Sequence, residues 1–132
     1  MTKIRLEIIS PEKTLANLEV TMAVLPGEGG EFGVLFGHEN YITTITPGVI
    51  NVYQDEAITE KYIVSAGTVK VTSELCTVII DEAVSADKIN FEQFESRLAE
   101  TIREMEKESS EIVKDELKDE IKYLEEALKF RV

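Results

Sequence analysis

The sequence predicts an α+β fold: an N-terminal antiparallel β-sandwich followed by a C-terminal antiparallel two-helix hairpin. Residues 3–81 form short runs rich in Val, Ile, Thr and Tyr that turn signals interrupt. Residues 85–132 contain neither proline nor glycine, and their apolar residues repeat with a helical period. A chain of 132 residues is long enough for one compact core with an appendage. We therefore expect a sandwich over residues 1–84 and a hairpin over residues 85–132.

Eight strands are predicted in the first unit, because turn signals such as Pro26-Gly27 and Pro47-Gly48 separate the β-rich runs. The predicted strands are residues 4–9, 20–25, 31–35, 41–46, 48–54, 57–65, 67–73 and 75–81. Since no helix lies between them, antiparallel pairing in a sandwich or barrel is required. Alternate residues form the predicted core, which includes Val49, Val52, Ile63, Val69, Val71, Val78 and Ile80.

Two apolar stripes with helical spacing predict the helices of the second unit. The first stripe is Phe91, Phe94, Leu98, Ile102 and Met105, and the second is Val113, Leu117, Ile121, Leu124 and Leu128. Asn90 is the predicted N-cap of the first helix, and the serines after Glu108 supply that of the second. Residues 85–90 form the predicted hinge, and the short break between the stripes indicates an antiparallel pair with a coiled-coil seam.

The composition is strongly acidic, with 26 Asp and Glu against 14 Lys and Arg and a net charge of −12. This charge argues against a nucleic-acid partner and against an anionic membrane surface. No apolar run approaches the roughly 20 residues needed to cross a bilayer, so direct membrane insertion is not expected. The chain enters a strand without a signal or transit segment, and its single cysteine, Cys76, allows no internal disulfide. We expect a cytosolic protein in which Cys76 is a small buried apolar side chain.

Five of the seven glycines lie between Pro26 and His38. This loop is not a P-loop, because it has no lysine and because Glu28 and Glu31 would repel phosphate. It also lacks the dinucleotide-binding pattern, since Phe32 stands where the third glycine would fall. Two carboxylates are too few for a calcium site. The sequence therefore predicts no metal and no cofactor, and a tight acidic turn between two short apolar segments.

His38 is the only histidine and is the obvious candidate for acid–base chemistry. Its neighbour Glu39 is adjacent in sequence and is not a built partner, and no nucleophile accompanies the pair. A contact with a partner protein is therefore preferred, and no catalytic residue is predicted.

The ordered set of motifs resembles the epsilon subunit of F-type ATP synthases. The set consists of the strand Ile4–Ile9 with the following Ser10–Lys13, then Pro26-Gly27, Gly30–Leu35, Gly37-His38 and Thr44–Gly48. The resemblance covers about the first 84 residues by motif and the remainder by architecture. This sequence departs from the family at Phe36, where a proline is usual, and lacks the proline that usually follows the histidine.

The resemblance implies a non-catalytic rotor subunit that couples ion flow through a membrane ring, usually of protons, to ATP synthesis. Such a subunit lies at the cytoplasmic face of the bacterial inner membrane, within the ATP synthase complex. It implies contact with the membrane rotor ring through Glu31, Phe32, Gly33 and His38. It also implies that Thr43 and Ser65, on neighbouring strands, contact the gamma subunit of the central stalk.

The resemblance also implies that the hairpin can dock on the catalytic beta subunit and inhibit ATP hydrolysis, here through Lys114, Lys118 and Lys122. Acidic residues three positions earlier equally predict a locally neutralised, solvated face. Some members of this family bind ATP at the start of the hairpin. The matching positions here, residues 89–94, carry Asn90, Gln93 and Phe94 in place of acidic, arginine and alanine residues, so weak or absent nucleotide binding is expected.

A rival hypothesis is a stand-alone β-sandwich binding module or chaperone, whose hairpin clasps client proteins. The two hypotheses differ in one observation, because only an ATP synthase subunit should co-purify with the beta and gamma subunits of that complex.

Overall fold

A computed structural model describes residues 2–132, and these residues form ten strands followed by two helices. The strands are β1 (Ile4–Ile9), β2 (Thr14–Val20), β3 (Met22–Gly27), β4 (Gly30–Val34), β5 (Tyr41–Ile45), β6 (Gly48–Gln54), β7 (Ala57–Val64), β8 (Gly67–Val71), β9 (Leu75–Ile80) and β10 (Ala83–Ser85). The helices are α1 (Phe91–Lys107) and α2 (Glu111–Leu128). The predicted fold class, a β-sandwich with a C-terminal helical hairpin, is confirmed.

The strands hydrogen-bond in the order β10-β7-β6-β3-β5-β8-β9-β1-β2, and β4 pairs with β3 outside this path. The pairing is antiparallel except between β1 and β9, which run parallel. The expectation of purely antiparallel pairing is therefore wrong at this one position. Parallel strands need a connection of a dozen or more residues, and the long chain between Ile9 and Leu75 supplies it.

Two strands were not predicted. The segment Leu15–Leu18 of β2 includes Ala16 and Asn17, residue types with low strand propensity. β2 nevertheless forms because it pairs along its length with β1. β10 has only three residues and is held by pairing with β7. Tertiary pairing created both strands where local propensity was weak.

The two faces of β6 belong to different cores, because side chains alternate along a strand. Ile50 and Val52 point into the sandwich, together with the predicted core residues Val69, Val71, Val78 and Ile80. Val49 and Ile63 stand opposite one another on the outer face of β6 and β7, where they belong to a second apolar cluster. That cluster includes Phe94, Tyr123, Leu124 and Ala127 of the two helices. The hairpin is thus packed on the outer face of one sheet.

Both predicted helix caps are present. The side chain of Asn90 accepts a hydrogen bond from the backbone N–H of Gln93 at 3.1 Å, and the Ser110 hydroxyl accepts one from the N–H of Val113 at 3.4 Å. These bonds satisfy donors that the first helical turn leaves free. Local side-chain chemistry therefore sets where each helix begins.

The predicted helical stripes are only partly buried. Ile102 and Val113 are exposed, whereas Thr101, Tyr123 and Ala127 are buried without having been predicted. The difference arises because α2 packs against β6 and β7 as well as against α1, so a second face of this helix is covered, while Thr101 of α1 lies against Glu120 of α2. In the part of the chain that is described, neither helix is long and apolar enough to cross a membrane.

Candidate partner-binding surfaces

The glycine-rich loop is a β-hairpin. Gly27 of β3 pairs with Gly30 of β4, so the tip consists of Glu28 and Gly29. Gly30 has a φ of +119°, a conformation that disfavours side chains. Glu31 follows it, with an exposed side chain, and Gly33 is half-buried opposite Val24. The strand pair therefore holds Glu31 on a rigid base at the protein surface.

Phe32 and His38 are brought together by a third residue, Tyr41. The ring of Phe32 meets that of Tyr41 edge-on, with centroids 5.8 Å apart. The rings of His38 and Tyr41 are 6.1 Å apart, and the Nδ1–H of His38 donates to the carbonyl of Glu39 at 2.6 Å. Gly37, at a φ of +87°, donates its N–H to the carbonyl of Ser73 at 2.8 Å. These contacts fix the loop after β4 against the turn between β8 and β9.

Four large apolar side chains are exposed around this loop. Leu35, Phe36, Tyr41 and Ile42 have 48%, 43%, 45% and 68% of their surfaces accessible, and we call them the loop-end patch. Sequence reasoning missed this patch, although the pairs Leu35-Phe36 and Tyr41-Ile42 on either side of the histidine were a usable signal. Exposed apolar residues at the rim of a rigid sheet are typical of protein contact sites.

Thr43 and Ser65 do not lie on neighbouring strands, so that expectation is wrong. β5, which contains Thr43, is separated from β7 by β3 and β6, and Ser65 directly follows β7. Thr43 is in register with the buried Val69, in the row that faces the sandwich core. Its neighbours Ile42 and Thr44 are exposed on the outer face. The pattern of alternation along β5 therefore favours Ile42 and Thr44 for any contact on this face.

Ser65 has a structural role in the turn between β9 and β10. Its hydroxyl oxygen accepts hydrogen bonds from the N–H groups of Asp81 and Glu82, at 3.1 and 3.0 Å. Its own N–H donates to the carbonyl of Glu82 at 2.9 Å. The turn is consequently held in one conformation, with the side chain of Glu82 directed towards the hairpin, where it meets Arg97.

The guanidinium of Arg97 binds both oxygens of Glu82 at 2.9 Å and one oxygen of Glu120 at 3.5 Å. The hydroxyl of Thr101 lies 2.7 Å from the carbonyl oxygen of Arg97 and 2.9 Å from the same Glu120 oxygen, so its one proton is shared between two acceptors. The hydrogen bonds to Glu82 raise the pKa of Arg97 despite its partial burial. Burial raises the pKa of the neighbouring Tyr123 phenol, and the Glu82 carboxylate adds to this effect.

The predicted lysine row occupies α2. Lys114 and Lys118 lie 3.9 and 4.0 Å from the carboxylates of Glu111 and Asp115. The described residues give Lys122 no carboxylate within 4.0 Å. Lys118 and Lys122, with Lys129, line an open groove of about 630 Å³ whose floor includes Met105 and Ile121. Glu125 and Glu126 also line the groove, and Lys129 pairs with Glu126 at 2.9 Å, so the groove has a mixed charged rim in which Lys122 is the lysine without a carboxylate partner among the described residues.

The residues at the start of the hairpin have structural roles. Asn90 caps α1, and Phe94 is buried with its ring 5.8 Å from that of Tyr123.

Cys76 is fully buried in the sandwich, and burial raises the pKa of its thiol to about 12. Within residues 2–132, no three His, Cys, Asp or Glu side chains are placed to hold a metal ion.

Residues 3–86 match the family model described as "ATP synthase, Delta/Epsilon chain, beta-sandwich domain". An ATP synthase epsilon chain from Granulibacter bethesdensis is 40% identical over 100 residues, which are 76% of this chain and 74% of that one. An ATP synthase epsilon chain from Rhodospirillum rubrum is 34% identical over 110 residues, 83% of this chain and 82% of that one. A chain in the cryo-EM structure of the Euglena gracilis mitochondrial ATP synthase, OSCP/F1/c-ring, has the same fold. Its TM-score is 0.73 at 23% identity, over 96% of this chain and 79% of that chain.

Proposed function

We propose that this chain, which belongs to the ATP synthase delta/epsilon chain family, is a non-catalytic subunit of the central rotor stalk. Its work is mechanical, since it transmits torque between the membrane ring and the catalytic head through two protein contacts. The observation that carries the proposal is the rigid loop end of the sandwich, where the exposed Glu31 and the loop-end patch stand together. The hairpin covers the outer face of β6 and β7, and so leaves this end free.

The ring contact is assigned to Glu31, Phe32, Gly33 and His38, supported by Leu35, Phe36 and Tyr41 of the loop-end patch. The β3–β4 pair and the Phe32–Tyr41 ring contact hold the loop in one shape, so no ordering cost is added on binding. Apolar residues supply contact area, and the carboxylate of Glu31 complements basic or amide groups on the ring.

A cysteine cross-link tests the ring contact. In the assembled complex, Glu31→Cys should cross-link to a cysteine placed in the polar loop of the ring subunit. Glu56→Cys is the matched control, because Glu56 lies in the exposed turn at the other end of β3, where Asp55 bonds to Thr21. Free labelling of Glu31→Cys by a bulky reagent, without a cross-link, would place the loop in solvent and overturn the assignment.

The gamma contact is assigned to the outer face of β5 and its neighbours, with Ile42 and Thr44 as outward residues. Thr43 lies in the inward row of β5, and Ser65 lies between β7 and β8, where its hydroxyl holds the turn before β10. Binding to purified gamma should be weakened by Ile42→Asp and unchanged by Ile58→Asp, since Ile58 is a similarly exposed isoleucine on β7. Equal binding by both variants would contradict the surface, and absence of binding by the parent protein would favour the rival binding module.

The hairpin is assigned a regulatory contact with the catalytic head. Lys118 and Lys122 stand beside Met105 and Ile121 in the groove, so the proposed occupant is an amphipathic helix that places acidic side chains over these two lysines and keeps them away from Glu125 and Glu126. Lys122→Glu should relieve inhibition of ATP hydrolysis in the assembled complex, whereas Lys107→Glu, at the end of α1, should not. Unchanged hydrolysis in both variants would remove the inhibitory role.

A further inference from the structure

Arg97 joins three parts of the molecule. Glu82 lies in the turn between β9 and β10, Arg97 lies in α1, and Glu120 lies in α2. The guanidinium binds Glu82 through two bonds of 2.9 Å and reaches Glu120 at 3.5 Å. A planar guanidinium suits this arrangement because its donors form a rigid fork that matches a carboxylate. One side chain therefore connects the sandwich to both helices.

The Arg97–Glu82 pair is the single ion pair across the boundary. Seven ion pairs occur among residues 2–132, and this one alone joins residues 1–84 to residues 85–132. Arg131, by contrast, binds Glu95 within the hairpin. The other contacts across the boundary that involve a cation are of a different kind, such as the Lys61 ammonium 5.8 Å from the centre of the Phe130 ring.

The two units repel one another electrostatically. Residues 1–84 carry 12 acidic and five basic side chains, and residues 85–132 carry 14 acidic and nine basic ones. Both units therefore carry a net negative charge, so they repel one another when the hairpin docks. The repulsion is concentrated in a cleft of about 410 Å³ beside Ser65, whose lining includes Asp81, Glu82, Glu116, Asp119 and Glu120.

We propose that Arg97 is a clasp that holds the hairpin on the sandwich, and that withdrawing its charge releases the hairpin. With Arg97 in place, carboxylates from both units share one cation. Without it, the same carboxylates face one another across the cleft and push the units apart. The apolar cluster of Ile63, Phe94 and Leu124 acts whatever the charge, so the clasp is the contact that electrostatic competition can open.

The positions of the partner groups favour a device with two states. Ser65 fixes the backbone of the turn that carries Glu82, and the Thr101 hydroxyl lies 2.7 Å from the carbonyl oxygen of Arg97 and 2.9 Å from the carboxylate of Glu120, so Glu120 is tied to the turn of α1 that carries Arg97. The Arg97 guanidinium also lies 5.7 Å from the centre of the Phe94 ring, in the apolar cluster. The clasp thus closes only when the hairpin is docked on the sandwich.

Thiol labelling of the isolated full-length chain tests the clasp without requiring the ATP synthase complex. Val49→Cys places a thiol on the outer face of β6 under the hairpin, and the native Cys76 in the sandwich core reports global unfolding. We expect Arg97→Gln to raise the labelling rate at position 49 about tenfold or more, because it removes the charge-assisted bonds and leaves the carboxylates unpaired, and Glu82→Gln to raise it less, because it also removes one of those carboxylates. The labelling rate of Cys76 should not change.

Three controls decide the outcome. Arg131→Gln, which breaks an ion pair within the hairpin, should leave the position-49 rate unchanged, and Arg97→Lys should restore most of the protection. The double variant Arg97→Gln with Glu82→Gln should open less than Arg97→Gln alone, because it lacks one of the carboxylates that the single variant leaves unpaired. The clasp is refuted if the position-49 rate is unaffected by Arg97→Gln, if Cys76 labelling rises in step with it, or if Arg131→Gln has the same effect.

Discussion

Replacing Leu124 with alanine should undock the hairpin and leave the sandwich folded. The Leu124 side chain has no accessible surface and lies in the second apolar cluster with Ile63 and Phe94. The sandwich core is a separate cluster to which Leu124 does not contribute. The cavity left by a buried Leu→Ala change costs about 2–5 kcal/mol, and we take about 3 kcal/mol for the estimate.

The size of the resulting shift depends on whether the two units unfold separately. Residues 85–132 alone have an unfolding entropy of about 0.1 kcal/mol/K, so the loss lowers the melting temperature of the hairpin by about 30 °C. If all 132 residues unfolded as one unit, the entropy would be about 0.28 kcal/mol/K and the shift only about 11 °C. The predicted division into residues 1–84 and 85–132 requires the larger shift, confined to the helices.

Two probes separate these cases in one thermal scan. Far-UV circular dichroism follows the helices, and the reactivity of Cys76 follows the sandwich core, where its side chain is fully buried. Ile112→Ala is the control, because Ile112 is 75% exposed on the same helix and its loss should change stability by no more than about 0.5 kcal/mol. If Leu124→Ala shifts both probes together by about 11 °C, the two-unit reasoning is wrong.

Gly67→Ala should destabilise the sandwich by about 3 kcal/mol or more in urea unfolding, since its Cβ would lie 2.1 Å from the carbonyl oxygen of Ile79. Gly29→Ala, with open space around it, should be neutral, and equal effects would contradict the packing argument. Burial raises the pKa of Cys76 from 9.0 to about 12, so its stabilising contribution is complete below about pH 9 and is lost as the pH rises towards 12. The Cys76→Val variant should not lose this part of its stability at alkaline pH in unfolding titrations. Identical pH profiles of the variant and the parent protein would refute the argument. Millimolar ATP should leave the melting temperature unchanged, because Gln93 replaces the arginine of the nucleotide motif. If ATP did bind, a concentration of 100 times its dissociation constant would add about 2.7 kcal/mol to the free energy of unfolding.

The candidate sites show what the sequence could and could not supply. Glu31 and His38 were predicted as contact residues because glycines mark the loop that carries them, and this role stays a prediction. Tyr41 was missed because its role depends on ring contacts with Phe32 and His38, which come from separate segments. The Arg97–Glu82 pair was missed because no spacing rule connects a helix position to a turn between strands.

The sequence by itself determined the secondary structure that local forces specify. The β-rich and helical halves follow from the change in apolar period, and Asn90 and Ser110 set the helix starts through hydrogen bonds within three residues. Tertiary structure alone decided the parallel β1–β9 pairing and the sheet face that the hairpin covers. It also decided that the alternation along β5 turns Thr43 inward. These features arise from contacts between residues far apart in the chain, whose free energy no local pattern encodes.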